Sequence, residues 1–228
     1  MNKFYKKIAV YSEFIFCSTV SFYLRLRGLP GMASKDIAIL KEIFKSFKGK
    51  KINVLEWGTG ISTVYYSRFL RSIGIAYGWY GIDNSPEWHK KILYQIKRNN
   101  LNKNVHLYLF DFKPFWKKPN WKWGVLEPRG FDPKEENEIK YITSPASLNI
   151  KFDIIIVDGR FRRRCLLETE KLLSSGGVVI LHDAQKQQYH SSLGIYKSGR
   201  FIDSGYLYYF GSRSKCKMWT GSNDNPRA

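Results

Sequence analysis

The run Phe152-Asp-Ile-Ile-Ile-Val157 constrains this chain more than any other feature. Six almost wholly apolar residues predict a central parallel strand, buried on both faces by helices. The rest of the chain supplies the alternation such a strand requires. INVLEW (52–57), residues 75–83 and NVHLYLF (104–110) read as three earlier strands, and VVILH after Gly176-Gly177 reads as a fifth. Between them lie stretches with helical spacing. One begins at Ser34, a good N-cap, and carries Ile37, Leu40, Ile43, Phe44 and Phe47 on one face up to Gly49. A second spans Thr59 to Ile73, with Val64, Tyr65, Phe69 and Leu70 as inner residues. A third runs from Pro86 to about Asn99, with proline at a tolerated position. A fourth runs from Arg162 to about Leu173. Strands alternating with helices mean α/β. Residues 199–210 read as two short strands turning at Ser204-Gly205. The expected fold is therefore a Rossmann-like, doubly wound, mostly parallel sheet with a C-terminal antiparallel hairpin, an α/β/α sandwich.

Length allows one large domain or one with an appendage. The reading adopted is an N-terminal helical extension at 1–33 and one domain at 34–228. Residues 111–151 are too long for an ordinary connection and carry Phe112, Phe115, Trp116, Trp121, Trp123, Phe131 and Tyr141. That insertion is expected to be lid-like, with Trp116 on the substrate side.

Charge is the second constraint. Thirty-eight Lys+Arg against nineteen Asp+Glu leave a net +19. Residues 1–51 hold eleven basic and three acidic residues, and residues 185–228 hold seven and two. Such a chain favours anionic partners: nucleic acid, phosphosugars, acidic glycans or a membrane surface. The plainer account is lysine used for solubility. Three cysteines, Cys17, Cys165 and Cys216, show no metal-like spacing and fit a reducing, cytoplasmic compartment. Ile8 to Leu26 is mostly apolar, but Ser12, Glu13, Ser18, Thr19 and Ser21 make it too polar for a spanning segment. No small-residue cleavage site follows it. An amphipathic helix that packs on the domain or lies on a membrane surface is expected.

The strongest local signal is Val54-Leu-Glu-Trp-Gly-Thr-Gly-Ile-Ser62. A strand enters two glycines and a helix starts at once, the arrangement that lets backbone approach a ligand. In open α/β sheets ligands sit at the carboxyl ends of strands, where strand order reverses. A dinucleotide fingerprint would place a third glycine at 63, where this chain has Thr63. Glu56, two residues before the first glycine, would repel a pyrophosphate and suits a cationic ligand. Asp83, ending the second strand, can accept two hydrogen bonds from a ribose diol.

These residues resemble the class I S-adenosylmethionine-dependent methyltransferases over about residues 34–210. The carriers are the E-x-G-x-G motif, Asp83, the strand order and the terminal hairpin. The resemblance implies that Glu56, Gly58, Thr59 and Gly60 line the methionine end of S-adenosyl-L-methionine. It implies that Asp83 holds the ribose, that Asn84 and Ser85 flank the adenosine, and that Asp111 lies near the adenine. A third glycine often found in the family is replaced here by Ser62.

Two further strands end in acids, Val157-Asp158-Gly159 and Leu181-His182-Asp183. Both ends share one rim of a parallel sheet. Two mechanisms stay open. Asp158 and Asp183 could hold a hard divalent ion such as Mg²⁺, which would acidify a substrate hydroxyl. This looks like metal-dependent O-methyltransferases, although Ala184 stands where a third ligand is usual. Alternatively His182 or Asp183 is a general base, with alignment of the reactants supplying most of the rate. The plain alternative is that His182 packs and Asp183 caps a helix. Beyond Asp158 lie Arg160, Arg162, Arg163 and Arg164, whose forks match carboxylate and phosphate. Arg160 and Tyr189 are substrate-side candidates, and the run resembles a methyltransferase group loosely associated with glycan modification.

The leading expectation is O-methylation of a sugar, glycan or other small hydroxyl acceptor. The alternatives are an RNA methyltransferase, for which no N-P-P-Y-like tetrad is found, and a catalytically inactive glycan- or membrane-binding relative.

Overall fold

A computed structural model describes residues 19, 20, 23, 27–112, 133–209 and 212–224, with side chains outside 207–213. Its sheet has seven strands: β1 (Ile52–Trp57), β2 (Tyr77–Asp83), β3 (Val105–Leu109), β4 (Phe152–Val157), β5 (Leu173–Leu181), β6 (Ser198–Tyr209) and β7 (Ser212–Ser222). They lie in the order β3-β2-β1-β4-β5-β7-β6. β1 to β5 are parallel, and β7 runs antiparallel between β5 and β6. Among the described residues the sheet is flanked by the α-helices α1 (Ser34–Lys45), α2 (Ile61–Ser72), α3 (Pro86–Arg98), α4 (Glu136–Thr143) and α5 (Arg162–Leu172).

Alternate residues of each central strand feed two separate cores, as a pleated strand demands. Val54, Ile154, Ile156 and Ile180 pack with Leu40 and Phe44 of α1, Tyr66 and Leu70 of α2, and Ile92 and Ile96 of α3. Leu55, Ile155, Val157 and Val179 pack with Tyr141 and Ile142 of α4 and Cys165 and Leu166 of α5. The result is the three-layer α/β/α arrangement. Ile154, Ile155 and Ile156 are each wholly buried, and burial of such a side chain contributes roughly 1.5–3 kcal/mol.

Local readings needed correction in four places. Ala33, not Ser34, occupies the N-cap of α1, and no side chain caps it. On α2 the core residue is Tyr66 rather than its neighbour Tyr65, which is half-buried. β5 begins at Leu173, so the two glycines lie within the strand, where its register to β4 shifts between Phe152 and Ile154. Ser204-Gly205 is not a hairpin turn: β6 continues through it with a register shift between Asp203 and Gly205. Gly205 has φ +81°, and a glycine in that region serves a bulge as well as a turn. The hairpin is instead formed by the long strands β6 and β7.

Within the stretch read as an insertion, residues 133–151 hold α4 and a 3-10 helix (Ser144–Leu148). Trp116, with Phe115, Trp121, Trp123 and Phe131, lies outside the described residues, as does most of 1–33. Among the described residues no helix is long and apolar enough to cross a membrane.

Candidate functional site

The strand order reverses between β1 and β4, so the crevice at this switch point is the expected ligand position. Register pairs Trp57 with Val157, which brings the turn after β1 directly against the turn after β4. Gly58 has φ +91°, and a Cβ on it would meet Gly159 Cα at 2.6 Å. A Cβ on Gly159 would in turn strike the Tyr141 hydroxyl at 2.0 Å and Gly58 N at 2.7 Å. The two glycines are thus required by each other. Gly60 differs: a Cβ there would make only ordinary contacts, with Ser62 Oγ at 3.5 Å and Trp88 Nε1 at 3.8 Å.

The ends of β1, β2 and β3 are tied into one unit. Thr59 Oγ1 donates to Asp83 Oδ2 at 2.9 Å. Asp83 Oδ1 accepts the backbone N–H of Asn84 and of Ser85, both at 2.8 Å. Asn84 Nδ2 donates to Phe112 O at 3.2 Å, and Asn137 of α4 donates to Asp111 O at 2.8 Å. Trp88 Nε1 donates to Thr59 O at 2.7 Å and pins the turn from α3. Asp83 is buried, and that burial raises its pKa, against the lowering by Ser85, Thr59 and Asn84. Three donors leave one of its four acceptor positions for a ligand. Asp111 is exposed at the end of β3.

Glu56 is a correction. Its side chain is fully buried, with Oε1 accepting from Ser62 Oγ at 2.6 Å and Oε2 from Thr63 Oγ1 and, at 3.0 Å, Trp79 Nε1. It therefore meets no ligand in this arrangement; it ties the first turn of α2 to β2. Burial pushes its pKa up to about 7, although the three donors pull it down. The remaining residues of the set fit an adenosyl ligand: an unobstructed Gly60, a carboxylate with a spare acceptor position, and an exposed acid beyond β3.

On the other side of the switch point a buried ionic chain links β4, β5, α5 and α1. His182 Nδ1 donates to Asp158 Oδ1 at 2.9 Å. Arg162 Nη2 reaches the same oxygen at 2.9 Å. Arg162 Nη1 donates to His182 O at 2.7 Å and lies 3.8 Å from Asp183 Oδ2. Lys186 Nζ binds Asp183 Oδ2 at 2.7 Å. Behind His182, Nε2 stands 3.6 Å from Asp36 Oδ2. Asp36 is wholly buried, and neither of its oxygens accepts a hydrogen bond among the described residues.

This geometry corrects two expectations. His182 is not poised as a base at neutral pH. Burial pulls its pKa down, but Asp158, the contact with Asp36 and the charge of Asp183 outweigh that and raise it to about 10. Asp183 fares no better. Burial raises its pKa, yet His182, Arg162 and Lys186 hold it well below the carboxylate range. Nor do Asp158 and Asp183 fit a divalent ion such as Mg²⁺, because the Arg162 guanidinium stands between them. No group of three metal-ligating side chains is found among the described residues. Asp158, also held below its ordinary pKa by His182 and Arg162 against the upward push of burial, keeps a 23% exposed side chain.

Arg160 is half-buried; burial lowers its pKa, and its charge interacts with Tyr141, Asp83 and Tyr189. Its backbone N–H donates to the Tyr141 hydroxyl at 3.0 Å. Tyr189 is a further correction: it is 4% exposed, with its ring 5.6 Å from the Arg162 guanidinium carbon, and so belongs to the core rather than to a substrate surface. The sequence reading passed over Asp36, although a signal was there. Asp36, Leu40 and Phe44 recur every four residues along the buried stripe of α1, and an acid on an apolar stripe demands a buried partner.

No family model matches the chain, and no curated protein matches it. Solved structures do. An O-methyltransferase from Bacillus cereus in complex with SAH is 14% identical, with TM-score 0.52 over 92% of this chain and 99% of that one. A methyltransferase-like protein from Silicibacter pomeroyi is 14% identical, with TM-score 0.51 over 85% and 90%. An rRNA-methylase candidate from Clostridium thermocellum is 12% identical, with TM-score 0.50 over 81% and 94%. The chain has the Rossmann-like fold that these methyltransferases share.

Proposed function

We propose that this chain is an S-adenosylmethionine-dependent methyltransferase that acts on the hydroxyl of a small acceptor, of the sugar or glycan type. The observation carrying this reading is the tie from the Gly58–Gly60 turn through Thr59 to Asp83, and through Asn84 to the segment beside Asp111. When bound there, S-adenosyl-L-methionine supplies an electrophilic methyl group on a sulfonium. Gly60 gives the methionine end its approach, Asp83 holds a ribose hydroxyl, and Asp111 meets the adenine edge. Asp158 is the partly open carboxylate next to the glycine turn, so it orients the acceptor hydroxyl toward the methyl. With S-adenosyl-L-methionine bound, the hydroxyl oxygen that Asp158 orients would take the methyl as the carbon–sulfur bond breaks, leaving S-adenosylhomocysteine, and the hydroxyl proton would pass to water. Neither His182 nor a metal supplies a base in this scheme. Alignment of the two reactants provides most of the acceleration. Arg160 favours an acceptor with a carboxylate or phosphate near the hydroxyl.

Isothermal titration with S-adenosylhomocysteine tests the cofactor half. Wild type binds, and Asp83→Ala, which removes the one acceptor position left for a ribose hydroxyl, binds at least roughly tenfold more weakly. No heat from the wild type, or equal affinity in the variant, overturns the reading.

A second reading, an RNA acceptor, draws on the α1–α3 layer. Its exposed cations include Lys45, Lys48, Arg68, Arg71, Lys97 and Arg98, against the exposed acids Glu42 and Glu87. RNA affinity that falls steeply with salt in a mobility-shift assay supports it; weak, salt-indifferent binding removes it.

A further inference from the structure

Four oxygens converge on one buried side chain. Arg162 is 8% exposed. Its Nε donates to Gly159 O at 3.1 Å, its Nη1 to His182 O at 2.7 Å, its Nη2 meets Asp158 Oδ1 at 2.9 Å, and Asp183 Oδ2 lies 3.8 Å from Nη1. Two carboxylate and two carbonyl oxygens form the donor set a hard divalent cation takes. Here they surround a guanidinium. The Tyr189 ring packs against that group, and Asp36 and His182 back the Asp158 carboxylate from the α1 side. The arginine enters from the first turn of α5, directly after β4, so its reach is fixed by the fold.

We propose that Arg162 is the resident cation of the acceptor side: it holds Asp158 and Asp183 in place of a divalent metal, and its removal uncovers a divalent-metal site. The reason is electrostatic. Two carboxylates brought to one buried point repel each other and lose hydration, so cations must accompany them: His182 pairs with Asp158 and Lys186 with Asp183, and Arg162 reaches both. Arginine is the cation whose planar fork can bond several oxygens at once and that cannot be deprotonated there. Arg162 is therefore a positioning residue: it acts through Asp158, which faces the open crevice. This deepens the methyltransferase reading by making the acceptor side metal-free, and its assay does not depend on that reading.

The test is Mn²⁺ binding, followed by electron paramagnetic resonance and calorimetry, on the full chain. Wild type is expected to leave millimolar Mn²⁺ free. Arg162→Ala and Arg162→Gln are expected to bind it at least roughly tenfold more tightly than wild type, since both remove the charge that stands between the two carboxylates. Arg162→Lys, which restores a cation, is expected to exclude it again. The double variant Arg162→Gln with Asp158→Asn is expected to lose what Arg162→Gln gained. The proposal is overturned if wild type binds Mn²⁺ and Asp158→Asn abolishes that binding. It is also overturned if Arg162→Gln, folded by circular dichroism, gains none. Should Arg162→Ala and Arg162→Gln both fail to fold, wild type and Arg162→Lys still decide: Mn²⁺ bound by either at Asp158 overturns it, and exclusion by both supports it. S-adenosylhomocysteine titration run in parallel separates the two ideas, because loss of that binding in wild type removes the methyltransferase reading and leaves the Mn²⁺ result standing.

Discussion

The two halves of the crevice solve the same problem by opposite means. At the ends of β1 and β2, the buried acids Glu56 and Asp83 are satisfied by neutral donors: hydroxyls of Thr59, Ser62 and Thr63, the Trp79 indole and two backbone N–H groups. Burial dominates there and raises both pKa values. At the ends of β4 and β5, Asp158 and Asp183 are satisfied by Arg162, His182 and Lys186. Ion pairing dominates there and lowers both. Neutral donors keep a carboxylate available to accept from an incoming hydroxyl. Fixed cations keep it charged and oriented, and they exclude other cations. The first half suits recognition of a ligand with ribose hydroxyls; the second suits holding one oxygen in line.

Substitutions at the two glycines should separate packing from recognition most sharply. Gly58→Ala drives a methyl into Gly159 backbone at 2.6 Å from a φ of +91°, so it should cost on the order of 3 kcal/mol of stability in denaturant melts. Gly60→Ala meets nothing closer than 3.5 Å and should leave the melt within roughly 0.5 kcal/mol while weakening S-adenosylhomocysteine binding. Equal melts for the two variants would break the assignment of Gly58 to the β1–β4 contact.

The ionic half should show itself in pH dependence. His182 has a folded pKa raised to about 10 from 6.5, so the stability it contributes is fully present below pH 6.5. That contribution is lost as pH rises through about 10, with a slope of up to about 1.4 kcal/mol per pH unit. His182→Gln should flatten this window in a series of urea melts. A wild-type profile that is already flat from pH 6.5 to 10 would contradict an imidazolium between Asp36 and Asp158.

A smaller effect of the same sign belongs to the neutral half. Glu56 is raised from 4.5 to about 7. The protein gains from its protonated form below pH 4.5 and loses that gain as pH rises through about 7. Glu56→Gln should remove this decline and keep the hydroxyl and indole partners within reach. If instead it leaves the slope unchanged, the carboxylate is more solvated than its complete burial implies.

Much of the architecture was legible because it is written in local periodicity. β1 and β4 match their apolar runs residue for residue, and the three helices of the first half, α1, α2 and α3, begin or end within a few residues of their glycines, prolines and caps. Parallel order follows from alternation alone. The readings that failed share a cause. Tyr65 and Tyr66 are adjacent, and only the packing of α2 on Phe44 and Met32 decides which is core. Ser204-Gly205 carries turn residues, but pairing with β7 extends on both sides and makes it a bulge.

For the site, sequence spacing identified the acids and glycines at strand ends, because in a parallel sheet every such end falls on one rim. It could not assign their charge states. Glu56 was expected to face a ligand and is instead enclosed by Ser62, Thr63 and Trp79; His182 was expected to be a base and is instead a buried cation. What the sequence by itself determined is the α/β order of elements and the list of chemistry-bearing residues along the rim. Only the tertiary structure decided which of them act, since a carboxylate or imidazole takes its pKa from burial and from partners on other elements. For His182 the deciding partners are Asp158 from the end of β4 and Asp36 from α1.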